Sequence, residues 1–153
     1  MQLTCPAFES GGRIPLRFTC DGADTSPPLA WSDTPAGTRS FALVCADPDA
    51  PGGTWYHWAI YDIPAATHAL AEHHSPSGTD PPQAVNDFHR TGYGGPCPPQ
   101  GPQPHRYRFR LFALDVERLG LGPRVSCRDV EAAATTHALA SAEIMGTYRR
   151  AHK

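Results

Sequence analysis

The sequence lacks a long hydrophobic run. No stretch of its 153 residues approaches the ~18 apolar residues that a membrane-spanning helix needs. Its first residues also lack the basic segment followed by an apolar segment that marks a secretory signal peptide. We therefore expect no stable insertion into a membrane and a cytoplasmic location.

The sequence also has little net charge. It carries 13 basic and 15 acidic side chains, which gives a net charge of −2 at pH 7 and a pI near 6.4. Proteins that bind nucleic acid usually carry a clustered excess of positive charge. The sequence therefore predicts no nucleic-acid partner.

Closely spaced cysteine pairs are absent as well. The five cysteines have no CxxC spacing; they are Cys5, Cys20, Cys45, Cys97 and Cys127. An odd number of cysteines, in a chain long enough to bury a core without cross-links, favours free thiols. A single Cys5–Cys20 bridge is the less favoured alternative.

Common catalytic and metal-binding motifs are missing too. There is no GxSxG nucleophile motif, and the segment from His68 to His73 misses the HxxEH zinc spacing by one residue. His73 and His74 are adjacent in sequence, so their side chains point apart. Cys97 is the best candidate nucleophile, although a cysteine that only lines a pocket is the favoured interpretation. We expect no metal, no cofactor and no enzymatic activity.

Proline and glycine, by contrast, are abundant. The chain has 17 prolines and 14 glycines, which stays short of the disordered range. Frequent turn residues between short apolar segments are typical of an all-β protein. The length favours a single domain, residues 1–153.

The stretch from residue 41 to residue 61 organises the sequence. Phe41–Ala46 is an apolar run typical of a buried strand, and it leads directly into Asp47. The prolines at positions 48 and 51 restrict the backbone on either side of Asp49. Asp47 is thus held in a stiff segment, where we predict a functional carboxylate, while Asp49 is the better candidate for a turn former.

A second apolar segment begins at Trp55, after a Gly-Gly turn. Strand alternation would place His57 with Trp55 on one face, and Tyr56 with Trp58 on the other. Because both faces are largely apolar, we predict a central strand covered on both sides. Asp47 and His57 would then meet near the edge of the core.

The segment His105–Leu114 has a clear period of two. His105 and Tyr107 belong to its apolar face, which we predict to be buried. Three arginines at positions 106, 108 and 110 occupy the other face, where a solvated surface is favoured over an anion site. The loop before it, residues 91–101, is rich in glycine and proline, and glycine allows a backbone to approach a ligand closely.

Two further elements are predicted near the ends of the chain. Arg13–Cys20 alternates apolar residues and predicts a half-buried strand. Ser126 is a candidate N-cap, and the alanine-rich residues 130–148 predict one C-terminal helix of roughly 15–20 residues.

Two signatures, taken together, resemble a known family. The first is Asp47-Pro48-Asp49-Ala50-Pro51 followed by Trp55-x-His57. The second is Gly95-Pro96-Cys97-Pro98-Pro99-x-Gly101 followed by His105-Arg106-Tyr107. The combination is highly specific, and the similarity covers nearly the whole chain. The sequence is similar to the phosphatidylethanolamine-binding proteins, in the bacterial Raf kinase inhibitor-like branch.

The resemblance implies an antiparallel Greek-key β-sandwich with a C-terminal helix and short peripheral helices. It also implies a homodimer, a cis Ala50–Pro51 bond and a small pocket for phosphate or a phosphorylated small molecule. Carried over to this sequence, the ligand-binding residues are Asp47, Trp55, His57, Gly95, Cys97, Pro98, His105 and Tyr107. Cys97 stands where eukaryotic members usually have glycine, which bears on the width of the pocket.

Three functions fit these residues. The favoured one is a small-anion-binding protein with a regulatory or scaffold role. The second is an inhibitor that contacts a partner enzyme, a kinase or a protease, through the rim of the pocket. The third is a weak hydrolase that uses Asp47 and His57.

Overall fold

The computed structural model describes residues 1–74 and 80–150. In order, its elements are β1 (Gln2–Thr4), a 3-10 turn (Leu16–Phe18), β2 (Leu29–Ser32), β3 (Ser40–Asp47), β4 (Trp55–Pro64), β5 (Ala69–Leu70), β6 (His105–Leu114), α1 (Cys127–His137) and β7 (Ala138–Tyr148). The strands form two antiparallel sheets, in the orders β1-β2-β5 and β4-β3-β6-β7. The predicted β-rich antiparallel fold is confirmed.

The four-stranded sheet is covered on both faces. One face packs against the three-stranded sheet in a core that includes Trp31, Phe41 and Phe109. The opposite face packs against α1, where Val44 contributes to a second core together with Val130. Strand β3 lies between these two layers, which explains its near-continuous apolar sequence and burial.

Strand β6 follows the predicted alternation at its start. Tyr107 and Phe109 are completely buried, whereas Arg106 and Arg108 are exposed. Arg108 pairs with Glu143 of the neighbouring strand β7. The arginine side of β6 is therefore a solvated, ion-paired surface, as favoured from the sequence.

Strand β4 differs from its prediction in two ways. It is apolar on both sides, but it is the outer strand of its sheet rather than a central one. Tyr56 packs in the core beside α1, whereas Trp58 packs in the core between the sheets, so the two do not share a face. Trp58 pairs with Cys45 and Tyr56 with Ala46, which leaves His57 as the extra residue of a β-bulge.

The predicted C-terminal helix is correct only in its first part. Helix α1 begins after Ser126, whose hydroxyl accepts a hydrogen bond from the Asp129 amide at 3.1 Å, as predicted for an N-cap. The helix ends at His137, far short of residue 148. Within residues 1–74 and 80–150, no helix has the length and apolar character that crossing a bilayer requires.

The rest of that predicted helix is strand β7. It pairs with β6 along nearly its whole length, and its residues Ile144, Gly146 and Tyr148 are buried. Alanine favours helix in isolation, but β6 offers an unpaired edge and a core to cover. Pairing and burial therefore outweigh helix propensity.

The prediction of free thiols is wrong for two of the five cysteines. Cys20 and Cys97 form a disulfide across a sequence separation of 77 residues, and the alternative Cys5–Cys20 bridge is also wrong. Cys5, Cys45 and Cys127 are free and buried. Sequence spacing could not indicate this bridge, because the fold alone brings the two loops together.

Two smaller predictions are corrected. The segment Arg13–Cys20 contains the 3-10 turn rather than a strand, and Pro15, which lacks an N–H group, immediately precedes that turn. The Ala50–Pro51 bond is not cis; the cis bond of the described residues is Asp80–Pro81.

Candidate functional site

A cavity of about 260 Å³ opens where β3 ends and where β4 and β6 begin. Seven of the eight predicted ligand-binding residues line it: Asp47, Trp55, His57, Cys97, Pro98, His105 and Tyr107. Four residues that were not predicted complete its lining: Ala50, Pro51, Phe88 and Pro99. Neither lysine nor arginine is among the described residues that line it.

Asp47 and His105 form a hydrogen-bonded pair in this pocket. Asp47 is the last residue of β3, and His105 is the first residue of the neighbouring antiparallel strand β6. His105 Nδ1 lies 2.7 Å from Asp47 Oδ2, and the two side chains are 14% and 4% exposed. Asp47 Oδ1 accepts the backbone N–H of Asp49 at 2.8 Å. Both carboxylate oxygens are thus engaged, and the carboxylate orients the His105 ring.

Asp49 attaches the loop after β3 to strand β6. Its carboxylate accepts the backbone N–H of Arg106 at 2.9 Å and two hydrogen bonds from the guanidinium, at 2.9 and 3.0 Å. The hydrogen bonds from Arg106 hold the pKa of Asp49 below its usual value. Asp49 therefore stabilises the wall of the pocket rather than lining it.

The bulge in β4 directs His57 into the pocket. The His57 side chain is almost completely buried, and its Nδ1 lies 2.6 Å from the carbonyl oxygen of Gly94. Its ring meets those of Phe88 and Tyr107 edge-on, at centroid distances of 5.4 and 5.2 Å. Burial lowers the pKa of His57, although the hydrogen bond to Gly94 and the charge of Asp47 oppose that shift. The imidazole is therefore neutral near pH 7.

Tyr107 also lines the pocket, and its hydroxyl group is unpaired within the described part of the chain. Its hydroxyl is buried and has no hydrogen-bond partner among the described residues. Burial raises the pKa of this hydroxyl, so it keeps its proton throughout the neutral range. Buried polar groups nearly always have a partner, so this hydroxyl is a candidate donor to a ligand.

Phe88 is a site residue that the sequence analysis missed. Its ring lies between His57 and Trp55, with a centroid distance of 5.3 Å to Trp55. A Cβ atom at Gly94 would lie only 2.6 Å from Phe88 Cδ2, so glycine leaves the space that this ring fills. The glycine at position 94 was the signal for a close approach, but no pattern identified which side chain approaches.

Gly95 is the predicted site residue that does not line the cavity. Its N–H donates to Asp24 Oδ1 at 2.8 Å, and a Cβ atom at this position would overlap the Phe18 carbonyl. Gly95 therefore allows the loop to lie flat against the segment that follows the 3-10 turn. Cys97 does line the cavity, but as half of a disulfide it carries no thiol nucleophile.

A larger cavity, of about 530 Å³, lies elsewhere on the surface, beside Arg39, Tyr61 and Arg118. None of the residues of the two sequence signatures lines it. The smaller cavity, where the signature residues converge, is the better candidate for a functional site.

The fold matches that of one class of proteins. A model of the family described as phosphatidylethanolamine-binding protein matches residues 4–149. Two solved structures are similar over 97% of this chain and 97% of their own. Escherichia coli YbcL, described as a new member of the mammalian PEBP family, has a TM-score of 0.90 and 36% identity. CT736 of Chlamydia trachomatis, described as a homologue of that family, has a TM-score of 0.86 and 38% identity.

Curated relatives agree. The UPF0098 protein of Aquifex aeolicus is 49% identical over 152 residues, which cover 98% of this chain and 89% of that protein. YbhB of Escherichia coli is 39% identical over 158 aligned residues, covering 97% of this chain and 99% of that protein. The chain belongs to the phosphatidylethanolamine-binding protein family, and its similarity to YbhB and YbcL confirms the bacterial branch predicted from the signatures.

Proposed function

We propose that this protein binds small anionic groups, phosphate monoesters in particular, in the strand-end pocket, and that it has a regulatory or scaffold role. The observation that carries the proposal is the buried Tyr107 hydroxyl, which has no partner within residues 1–74 and 80–150. Tyr107 lines the same cavity as the Asp47–His105 pair and His57. A phosphoryl oxygen placed there would accept a hydrogen bond that the protein leaves unmade.

The charges of the pocket limit the kind of anion that fits. The described lining offers no lysine or arginine and contains the carboxylate of Asp47. Among the described lining residues, only a protonated imidazole, whose ordinary pKa is about 6.5, can supply positive charge. A phosphate monoester loses its second proton near pH ~6. Binding should accordingly be strongest at mildly acidic to neutral pH and should weaken at alkaline pH.

We propose further that the pocket does not catalyse hydrolysis. A hydrolase using Asp47 and His57 would need the carboxylate to orient that imidazole. Asp47 instead bonds to His105 and to the Asp49 amide, while His57 bonds to the Gly94 carbonyl. Turnover of p-nitrophenyl phosphate that disappears in Asp47→Asn would contradict this proposal.

An inhibitory role is the second candidate, and one observation favours it. Trp55 lies at the mouth of the pocket and is 36% exposed, which is unusual for a large aromatic side chain. Exposed tryptophan is enriched where proteins bind one another. A partner enzyme would then contact Trp55 and the neighbouring prolines.

The direct test of anion binding is a crystal structure of the protein soaked with phenyl phosphate. We expect the phosphoryl group within hydrogen-bond distance of the Tyr107 hydroxyl and of His105, with the phenyl ring toward Trp55. An empty pocket at a concentration where phenyl phosphate saturates the protein in solution would contradict the proposal.

A further inference from the structure

The Cys20–Cys97 disulfide lies at the mouth of the candidate pocket. Cys97 lines the cavity and is exposed to solvent, whereas Cys20 is partly buried and does not line it. The bridge connects the loop after the 3-10 turn to the glycine- and proline-rich loop before β6. Cys97 is therefore accessible to solvent and can contact a ligand in the pocket.

The other cysteines are poorly placed for redox chemistry. Cys5, Cys45 and Cys127 are buried and free. Burial raises the pKa of each thiol, well above its ordinary value for Cys45 and to about 12 for Cys127. Because the thiolate is the reactive form, these three are inert. Thiol chemistry is therefore concentrated on the Cys20–Cys97 pair.

Positive charge accompanies Cys97. The Arg150 guanidinium lies 3.9 Å from Cys97 Sγ and 3.2 Å from the Asp21 carboxylate, which follows Cys20 in the chain. Tyr148 also donates to Asp21, at 2.5 Å. An adjacent guanidinium stabilises a thiolate, whereas an adjacent carboxylate disfavours one. If the bridge opens, the guanidinium is placed to stabilise a thiolate on Cys97.

The loop has other attachments, so opening the bridge need not displace it. Tyr93 donates its hydroxyl proton to the Phe18 carbonyl at 2.7 Å. The Cys20 N–H donates to the Pro96 carbonyl at 3.1 Å, and the Gly95 N–H donates to Asp24 at 2.8 Å. With these hydrogen bonds kept, Cys97 would remain at the pocket mouth as a thiol.

We propose that Cys97 is a site of reversible modification by small thiols, and that a thiol adduct on its sulfur closes the anion pocket. A dithiol reductant first converts the bridge to two cysteine thiols and is itself oxidised to a disulfide. The Cys97 thiolate then attacks a small disulfide RSSR: a Cys97–SR bond forms, the RS–SR bond breaks, and RS⁻ leaves with the electron pair. Attack of the Cys20 thiolate on the Cys97 sulfur restores the bridge and releases RS⁻.

An adduct on Cys97 would affect the pocket because Cys97 lines it. This claim of pocket closure rests on the proposed anion binding. A tripeptide-sized adduct is comparable to the cavity of about 260 Å³ in size and is attached at its mouth. It would occupy the entrance between Trp55 and the prolines at positions 98 and 99. In the cytoplasm, the location expected from the sequence, small thiols are abundant and can take part in this exchange.

The test separates the two cysteines. Cys20→Ser keeps Cys97 as the exposed thiol, and Cys97→Ser, its matched control, keeps Cys20. Each folded variant is incubated with glutathione disulfide, and the adduct is followed by intact mass spectrometry. We expect Cys97 to be labelled roughly tenfold or more faster than Cys20. Arg150→Gln, made in the Cys20→Ser protein, should slow the labelling, while the exposed neighbour Arg149→Gln should not.

The effect on the pocket is measured by titrating the same Cys20→Ser protein with phenyl phosphate, before and after labelling. We expect the adduct to weaken binding roughly tenfold or more, and dithiothreitol to restore it. Equal labelling of the two cysteines, or unchanged affinity after labelling, would overturn the inference.

If the parent protein does not bind phenyl phosphate at all, the proposed function fails, while the labelling rates still decide the modification site. Should Cys20→Ser not fold, the parent protein is reduced, treated briefly with glutathione disulfide and quenched with acid before Cys20 restores the bridge, and peptide mapping then locates the adduct on Cys97 or on Cys20.

Discussion

At the residue scale, hydrogen bonding decides what each imidazole can offer a ligand. A carbonyl oxygen only accepts, so His57 Nδ1 must carry the proton that bonds to Gly94. Neutral His57 is then an acceptor at Nε2 and cannot donate to an anion there. A monoprotonated phosphate ester, whose P–OH group donates, suits this imidazole better than a fully ionised one.

The burial of His57 makes stability depend on pH. Its pKa is lowered in the folded protein, whereas in the unfolded chain it is about 6.5. Between these two values the unfolded state binds more protons, so the free energy of unfolding falls as pH drops below about 6.5 and levels off below the folded-state pKa. At higher pH this contribution is fully present. In His57→Gln, the free energy of unfolding should fall less at acidic pH than in the parent. The difference should be about 1.4 kcal/mol for each unit by which folding lowers the pKa of His57.

Urea unfolding of the parent and His57→Gln at a series of pH values measures this difference. The control is His68→Gln, which changes an exposed histidine just before β5. Its free energy of unfolding should vary with pH in parallel with that of the parent. Parallel profiles for His57→Gln and the parent would show that His57 is not held neutral by burial.

At the element scale, the packing of strand β7 depends on glycine at position 146. A Cβ atom at Gly146 would overlap Ile14 Cγ1 and would lie 2.9 Å from Phe8 Cε2, in the core between the two sheets. Glycine therefore lets β7 lie against these side chains, although it normally weakens a strand.

Gly146→Ala should destabilise the protein by about 1–3 kcal/mol, because the added methyl group overpacks a filled core. Gly122→Ala is the matched control, since a Cβ atom there meets nothing within 4 Å. It should change the free energy of unfolding by less than about 0.5 kcal/mol. Chemical denaturation of the two variants tests this, and equal effects would show that residue 146 is not tightly packed.

The same strand shows how far the sequence predicted the elements. An apolar run predicted β3, and alternation predicted β6 and which of its faces is buried. Alanine content wrongly predicted a helix at residues 138–148, because pairing with the distant strand β6 makes this segment a strand. The weak alternation of Ile144, Gly146 and Tyr148 was the available signal. The bulge at His57 could not be predicted, since it depends on the register against β3.

For the candidate site, the sequence signatures predicted most of the lining. Asp47 and His105 are separated by 58 positions, and the family resemblance assigned both of them to one pocket. Phe88 and the Cys20–Cys97 bridge were missed, because loop residues distant in sequence meet only after the sheets have packed.

At the scale of the whole molecule, the disulfide joins distant parts of the chain. It closes a loop across a sequence separation of 77 residues, so it restricts the unfolded chain more than a short-range bridge would. Reduction by dithiothreitol should lower the free energy of unfolding by about 2–4 kcal/mol while the fold remains intact. Urea unfolding of oxidised and reduced protein measures the loss, and a reduced protein that is equally stable would contradict this expectation.

Self-association is a separate prediction at this scale. The family resemblance predicts a homodimer, for which the single chain offers no independent interface signal. Light scattering should give about twice the chain mass of 16.5 kDa. A mass that stays at the monomer value across a wide concentration range would remove the homodimer from the account.

The central claim is that the two histidines and Tyr107 form one anion site, and calorimetric titration with phenyl phosphate at mildly acidic pH tests it most directly. Removing one charged hydrogen-bond donor costs roughly 1.5–3 kcal/mol of binding free energy. His105→Ala should therefore weaken binding by a factor of roughly ten to more than a hundred. His57→Ala should also weaken binding, and the control His68→Ala should bind as the parent does. Unchanged affinity in both His57→Ala and His105→Ala, with circular dichroism showing intact folds, would contradict the account.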